Sequence, residues 1–178
     1  MTPSRKFTAL ANTLATLTLL AAIALPLSAA AIWLLWNALA PYAAGNLQHV
    51  YDLTTLGVGA RVAGFLVLLF GATIQAYGLL GVRRTFLEAA AGRAYSDRSL
   101  SGFKRFAWIS VLMVFIGIAQ QTGLIAIFSV SDPSHMGALS IQFGSNELKS
   151  LFTGALFVFV AHIFMEGKRA KDENEAFI

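Results

Sequence analysis

The chain has 178 residues, of which 57% are hydrophobic and 12% charged. Soluble domains average about 45–50% and about 25% on the same measures, so an ordinary water-soluble core is excluded. The net charge of +4 reads as membrane topology rather than nucleic-acid binding, because the basic residues flank apolar stretches. The absence of cysteine removes disulfides, thiolate nucleophiles and Cys-ligated metals.

No Asp, Glu, Lys or Arg occurs in 7–51, 62–82, 106–131 or 150–165. Crossing hydrocarbon takes about 17–25 helical residues. Backbone groups cannot stay unpaired in lipid, so each stretch predicts a helix. No strand-like alternation of barrel length is visible. The prediction is one all-α integral membrane domain, a four-helix bundle with spans at 13–36, 60–82, 106–128 and 148–165.

Span one follows Arg5 and Lys6. Two readings stand. As an anchor, its apolar run continues through Ile32-Trp33-Leu34-Leu35-Trp36. As a cleaved signal, Arg5-Lys6 is the basic region, 14–25 the apolar core and 26–30 the cleavage zone. Pro26 removes a backbone hydrogen bond and predicts a kink. Ser28 or a neighbouring helix would satisfy the freed carbonyl. Trp33, Trp36 and Tyr42 read as an interfacial belt at the outer end, and Trp108 as its inner counterpart. In the loops on that outer side, His49 and Asp52 are three apart, as are Asp132 and His135. Two His and two carboxylates can bind zinc, but the spacing is generic and no metal or cofactor is assigned.

Span two carries Gly57, Gly64, Gly71 and Gly78 at a spacing of seven. Ala60 with Gly64, and Ala72 with Ala76, add small-residue pairs. Small residues let helix backbones approach closely. The stripe predicts a face meeting another helix of the same chain, with a homo-oligomer face as the alternative.

In the loop 83–105, helix formers extend span two through Ala91, and Gly92 reads as its stop. Ser96 reads as the cap of a second helix, with Asp97 in its first turn. Tyr95 against Leu100 would form a hydrophobic staple. Leu100, Phe103 and Ala107 share the face leading into span three. The prediction is a cytoplasmic helical elbow with basic residues facing headgroups.

After span three, 136–143 alternates loosely and suggests a short extended piece. Ser145 would cap span four, with Glu147 in its first turn. This span is the shortest. Its charge-free stretch covers about 24 Å of a core of about 30 Å. Lys149 would lengthen it by snorkelling, with Glu166 near the other interface; a re-entrant segment is the alternative. The tail 166–178 reads as a solvated helical continuation, with Phe177 and Ile178 either folded back or frayed.

Eleven of the thirteen basic residues fall on one side: Arg5 and Lys6, six between spans two and three, and Lys168, Arg169 and Lys171. Arg61 and Lys149 remain for the other. The positive-inside rule predicts a multi-pass inner-membrane protein with both termini cytoplasmic.

Three pieces carry a family resemblance: Arg83-Arg84-Thr85-Phe86 with Gly92 and Tyr95-Ser96; Leu139-Ser140-Ile141 with Gly144-Ser145 and a last span; and the ending Glu173-Asn174-Glu175-Ala176-Phe177-Ile178. In this order the chain resembles the domain of unknown function 2975 family of small bacterial four-helix membrane proteins. The resemblance covers about the last hundred residues. It implies a four-span fold and, at most, partnership with a helix-turn-helix regulator. It lends no activity.

Inside the spans the polar candidates are Gln75, Gln120, Gln121 and His162. Intramembrane ionisable groups are functional hypotheses, though a helix-bonded neutral His is the plainer reading. No Asp, Glu, Lys or Arg lies deep in a span and no internal repeat is evident, which argues against a pump or coupled carrier. No catalytic motif appears. The expected function is therefore a non-enzymatic interaction, sensor or regulatory protein, whose partners are the bilayer and a protein at the basic loop, not nucleic acid. The alternative is an oligomeric small-molecule or ion pathway lined by Gln75, Gln120 and His162.

Overall fold

A computed structural model describes residues 4–36, 38, 56–131 and 144–175. Tyr42, His49, Asp52, Asp132, His135, the segment 136–143, Phe177 and Ile178 lie outside the described residues. The described chain is helical: α1 (Arg5–Leu34), α2 (Val58–Ala90), α3 (Asp97–Ser131) and α4 (Ser145–Glu175). All four are long and apolar enough to cross a membrane.

Each helix packs mainly on its neighbour in sequence, α1 on α2, α2 on α3 and α3 on α4, while α1 and α4 barely approach one another. Gly64 faces Trp33, Gly78 faces Ile109 and Gly154 faces Val111. With Phe7 beside Ala89, Gly71 against Gln120 and Lys168 paired with Asp97, neighbouring helices are antiparallel. The start of α1, the turn at 91–96 and the end of α4 gather at one end, hereafter the elbow end.

Ser4 caps α1, its Oγ accepting from the Phe7 amide at 3.3 Å. The helix starts well before residue 13 and runs through Pro26. Ser28 Oγ donates to Leu25 O at 2.8 Å, rather than to the carbonyl four residues before the proline. The buried positions of α1 are Ala11, Ala15, Ala22, Ala29 and Trp33. These recur at four and seven, so α1 offers its own seam of small side chains.

Trp33 and Trp36 correct the belt expectation. They are 8% and 2% exposed, and they clamp the far end of the molecule with Leu56 and Phe128. Their rings stack at 4.4 Å, and the Trp33 ring occupies the space that Gly64 leaves. Trp108, in contrast, is 53% exposed.

Three glycines of the stripe meet groups of the same chain: Gly64 meets Trp33, Gly71 meets Gln120 and Gly78 meets Ile109, while Gly57 meets nothing within 4 Å. The closest approach lies just beyond the stripe. A Cβ on Gly81 would stand 2.6 Å from the Gly102 carbonyl oxygen, and one on Gly102 would meet the Gly81 carbonyl. Here α2 and α3 touch backbone to backbone. Thr85 Oγ1 fastens the same joint by donating to Ser99 O at 2.8 Å.

The helix α4 has 31 residues, about 46 Å at 1.5 Å each. Its short apolar stretch is flanked by continuous helix on both sides, which makes it long enough to cross a membrane. Its cap is Gly144, with Ser145 already in the helix. Glu147 Oε2 accepts from the Gly144 amide at 2.8 Å, a side chain reaching back to an otherwise unpaired donor.

Candidate functional site

The elbow is built from its turn outward. Gly92 has φ 76°, the left-handed conformation a helix end favours and glycine adopts freely. Its amide donates to Ala89 O at 3.0 Å and that of Arg93 to Glu88 O at 2.8 Å, so the last carbonyls of α2 are satisfied. Ser96 then caps α3, its Oγ accepting from the Ser99 amide at 3.2 Å. Both elements match the sequence reading. Tyr95 packs edge-on against Phe164 of α4, with ring centroids 6.4 Å apart.

Glu88, which the sequence did not single out, joins the two sides of the turn. Its Oε2 accepts from Arg93 Nε at 2.8 Å and from Ser96 Oγ at 3.3 Å. The Arg93 hydrogen bond holds the Glu88 carboxyl below its usual range against the opposing effect of burial; the charge of Arg93, the Ser96 bond and the charge of Arg98 add to it. The same bond raises Arg93.

On α4, Lys168 reaches Asp172 at 2.7 Å and Asp97 at 3.1 Å, which ties the tail of α4 to the start of α3. Hydrogen bonds from Lys168 to Asp172 and then Asp97 raise its pKa. Arg169 pairs with Glu173 at 3.2 Å. Between α3 and α4 these residues, with Ser101 and Lys104, line a charged cleft of about 730 Å³. Below it, Phe103, Phe106, Phe157 and Phe164 form a continuous aromatic seam, with centroids 5.4 to 6.5 Å apart.

The intramembrane candidates are not brought together. Gln120 Nε2 donates to Val67 O at 2.7 Å, with Leu68 O at 3.4 Å. The amide reaches the flank of α2 because Gly71 carries no side chain there: a Cβ would lie 2.5 Å from both Gln120 Nε2 and Oε1. Gln120 is thus a helix-to-helix bond. His162 is exposed, and its Nδ1 lies 2.9 Å from Val158 O of its own helix. Gln75 instead shares a groove of about 640 Å³ with Gln121, Ser110 and Thr153, beside Asn146 and Lys149. A pathway within one chain lined by Gln75, Gln120 and His162 together is not what this arrangement provides.

Among the described residues no group of three or more His, Asp or Glu could hold a metal. The two His/Asp pairs lie outside them. No family model, curated protein or solved structure matches the chain.

Proposed function

We propose that this is a multi-pass inner-membrane protein with both termini and the elbow in the cytoplasm, and that it acts by binding a partner at the elbow end rather than by catalysis. The observation that carries this is spatial. Both described termini and the turn lie at one end, with eleven of the thirteen basic residues. That end is also where polar structure is fixed in place, by Glu88 across the turn and by Lys168 between α3 and α4. A preset polar surface suits recognition, and the surplus of positive charge suits an acidic protein surface. The resemblance to the domain of unknown function 2975 family agrees with a four-span protein and with a regulatory partner.

The test uses the absence of native cysteine. Single cysteines at Ser101 and at Asn146 are labelled in intact cells with an impermeant thiol reagent. Labelling at Asn146 and protection at Ser101 are expected; the reverse pattern overturns the orientation. Crosslinking from Ser101→Cys should then yield a discrete protein adduct that Arg98→Glu and Lys104→Glu abolish. An adduct indifferent to both charges would remove the partner reading.

A second reading rests on the groove of Gln75, Gln121, Ser110 and Thr153. Polar lining at the depth of the predicted spans suits a small polar solute. Uptake by proteoliposomes that Thr153→Leu and Gln121→Leu abolish would favour it over the partner reading.

A further inference from the structure

At the elbow end, two cavities lie side by side where α1 and α4 do not pack on each other. The deeper is a chamber of about 260 Å³ whose wall is almost wholly apolar. Leu10 and Leu14 of α1, Phe86 of α2, Phe103 of α3 and Phe164 of α4 form it, so all four helices contribute. An apolar cavity of about 150 Å³ is enough to bind benzene, so this chamber has room for a stretch of hydrocarbon. The shallower is a polar vestibule of about 460 Å³ that reaches Arg93, Ser96, Lys171 and Asp172. The two share Phe7, Ala89, Ala94 and Tyr95 as a common wall.

The polarity of the pair runs in one direction. Leu14 and Phe164 lie at the inner ends of their predicted spans, and Phe86 and Phe103 within about a turn of theirs, whereas Arg93 and Lys171 sit farther out. That is the polarity of a bilayer leaflet, with hydrocarbon deep and headgroups shallow. The charge is mixed, with a basic surplus. The elbow end holds eleven basic residues against six acidic ones, Glu88, Asp97, Glu166, Asp172, Glu173 and Glu175. Arg93 contacts Glu88 through Nε, and a guanidinium has four further N–H donors, enough to receive an anionic oxygen pair.

We propose that this paired cavity holds one anionic phospholipid of the bilayer, with part of an acyl chain in the chamber and the phosphate in the vestibule. The chain enters through the gap between α1 and α4. The proposal rests on the membrane-spanning reading above, and its test separates the two.

The full chain is reconstituted in vesicles of mixed phosphatidylglycerol and phosphatidylcholine, extracted in mild detergent and examined by native mass spectrometry. About one phosphatidylglycerol per chain is expected, retained at least tenfold over phosphatidylcholine. Leu10→Trp with Leu14→Trp fills the chamber and should reduce that retention tenfold or more. Leu17→Trp, on an exposed face outside the chamber, should leave it unchanged. Lys171→Gln keeps the chamber and should lower the preference for the anionic lipid. Equal retention of both lipids, retention unchanged by the chamber-filling pair, or capture of free fatty acid in place of phospholipid would each overturn the site. Release of the protein from vesicles by alkaline carbonate would instead overturn the spanning reading itself.

Discussion

The contact between α2 and α3 gives a graded test of what each glycine contributes. An alanine at Gly81 places its Cβ 2.6 Å from the Gly102 carbonyl oxygen, against ordinary contact that begins at 3.4 Å. The helices must part by about 0.8 Å, and backbone cannot swing aside as a side chain can. Overpacking of this kind costs about 1–3 kcal/mol. Alanine at Gly71 meets the amide end of Gln120, which can rotate away. The loss there is about one interhelical hydrogen bond, averaging about 0.6 and reaching about 1.7 kcal/mol in membrane helices. At Gly117 nothing lies within 4 Å, so alanine should stabilise α3 by up to about 1 kcal/mol through helix propensity. Reversible unfolding in mixed micelles, read by circular dichroism, should rank Gly81→Ala and Gly102→Ala as most damaging, Gly71→Ala as intermediate and Gly117→Ala as neutral or better. Adding Gln120→Ala to Gly71→Ala should cost less than the sum of the two single changes, because the hydrogen bond can be lost only once. If Gly81→Ala unfolds like Gly117→Ala, the backbone contact is not there.

Trp33→Ala should destabilise the fold by about 3–5 kcal/mol, the range for emptying a large buried aromatic site, while Trp108→Ala, at a site 53% exposed, should stay within about 0.5 kcal/mol in the same micelle assay. Glu88→Gln replaces the carboxylate with a neutral amide, losing the charge-assisted pairing with Arg93 and loosening the turn, so amide exchange across 89–100 should speed up with little change at the far end. Acid should act in the same direction. The Glu88 carboxyl titrates lower in the fold than its ordinary 4.5, so its contribution is present above that value and is lost as pH falls through the lower folded one. Protection factors at 89–100, taken against the intrinsic exchange rate at each pH, should therefore fall in acid for the native chain and much less for Glu88→Gln. The tie from α4 to α3 has the opposite sign. Lys168 is raised above 10.5, so its contribution holds below that value and is lost only as pH climbs past the folded one. Labels on α3 and α4 near the elbow should keep their separation at neutral pH and part in strong alkali.

The sequence was most legible where a residue's backbone behaviour decides the outcome. Gly92 and Ser96 bound the turn because a left-handed helix end and a helix cap each have a short list of suitable residues. It was least legible where the answer depends on what stands opposite. Tryptophan suits both a membrane interface and a buried plug, and only Gly64 across the α1–α2 joint tells Trp33 which to be. The same holds for the glutamines. Gln120 became a bond to α2 because Gly71 lies beside it, while its neighbour Gln121 turned to the groove with Gln75. The alanine seam of α1 was readable, since Ala15, Ala22 and Ala29 repeat the heptad of the α2 glycines. Alanine is simply too common in apolar helices to attract notice. Glu88 left no such trace, because its role depends on a turn that brings Arg93 and Ser96 back to it.

The three helix joints differ in what they are made of, and that difference bears on where function would sit. The α1–α2 joint rests on alanines and the Trp33 plug, and the α2–α3 joint on glycine backbones and the Gln120 bond. Such joints have no long side chains to rearrange, so they favour a single separation and register. The α3–α4 joint rests on phenylalanine rings, with the charged cleft at one end and the polar groove along the other. Ring contacts at 5.4 to 6.5 Å tolerate rotation and sliding in a way that touching backbones do not. The helix α4 also lacks a second neighbour, because α1 does not close on it. Rearrangement is therefore easiest at the α3–α4 joint, where the Lys168–Asp97 pair and the Tyr95–Phe164 ring contact hold α4 at the elbow end.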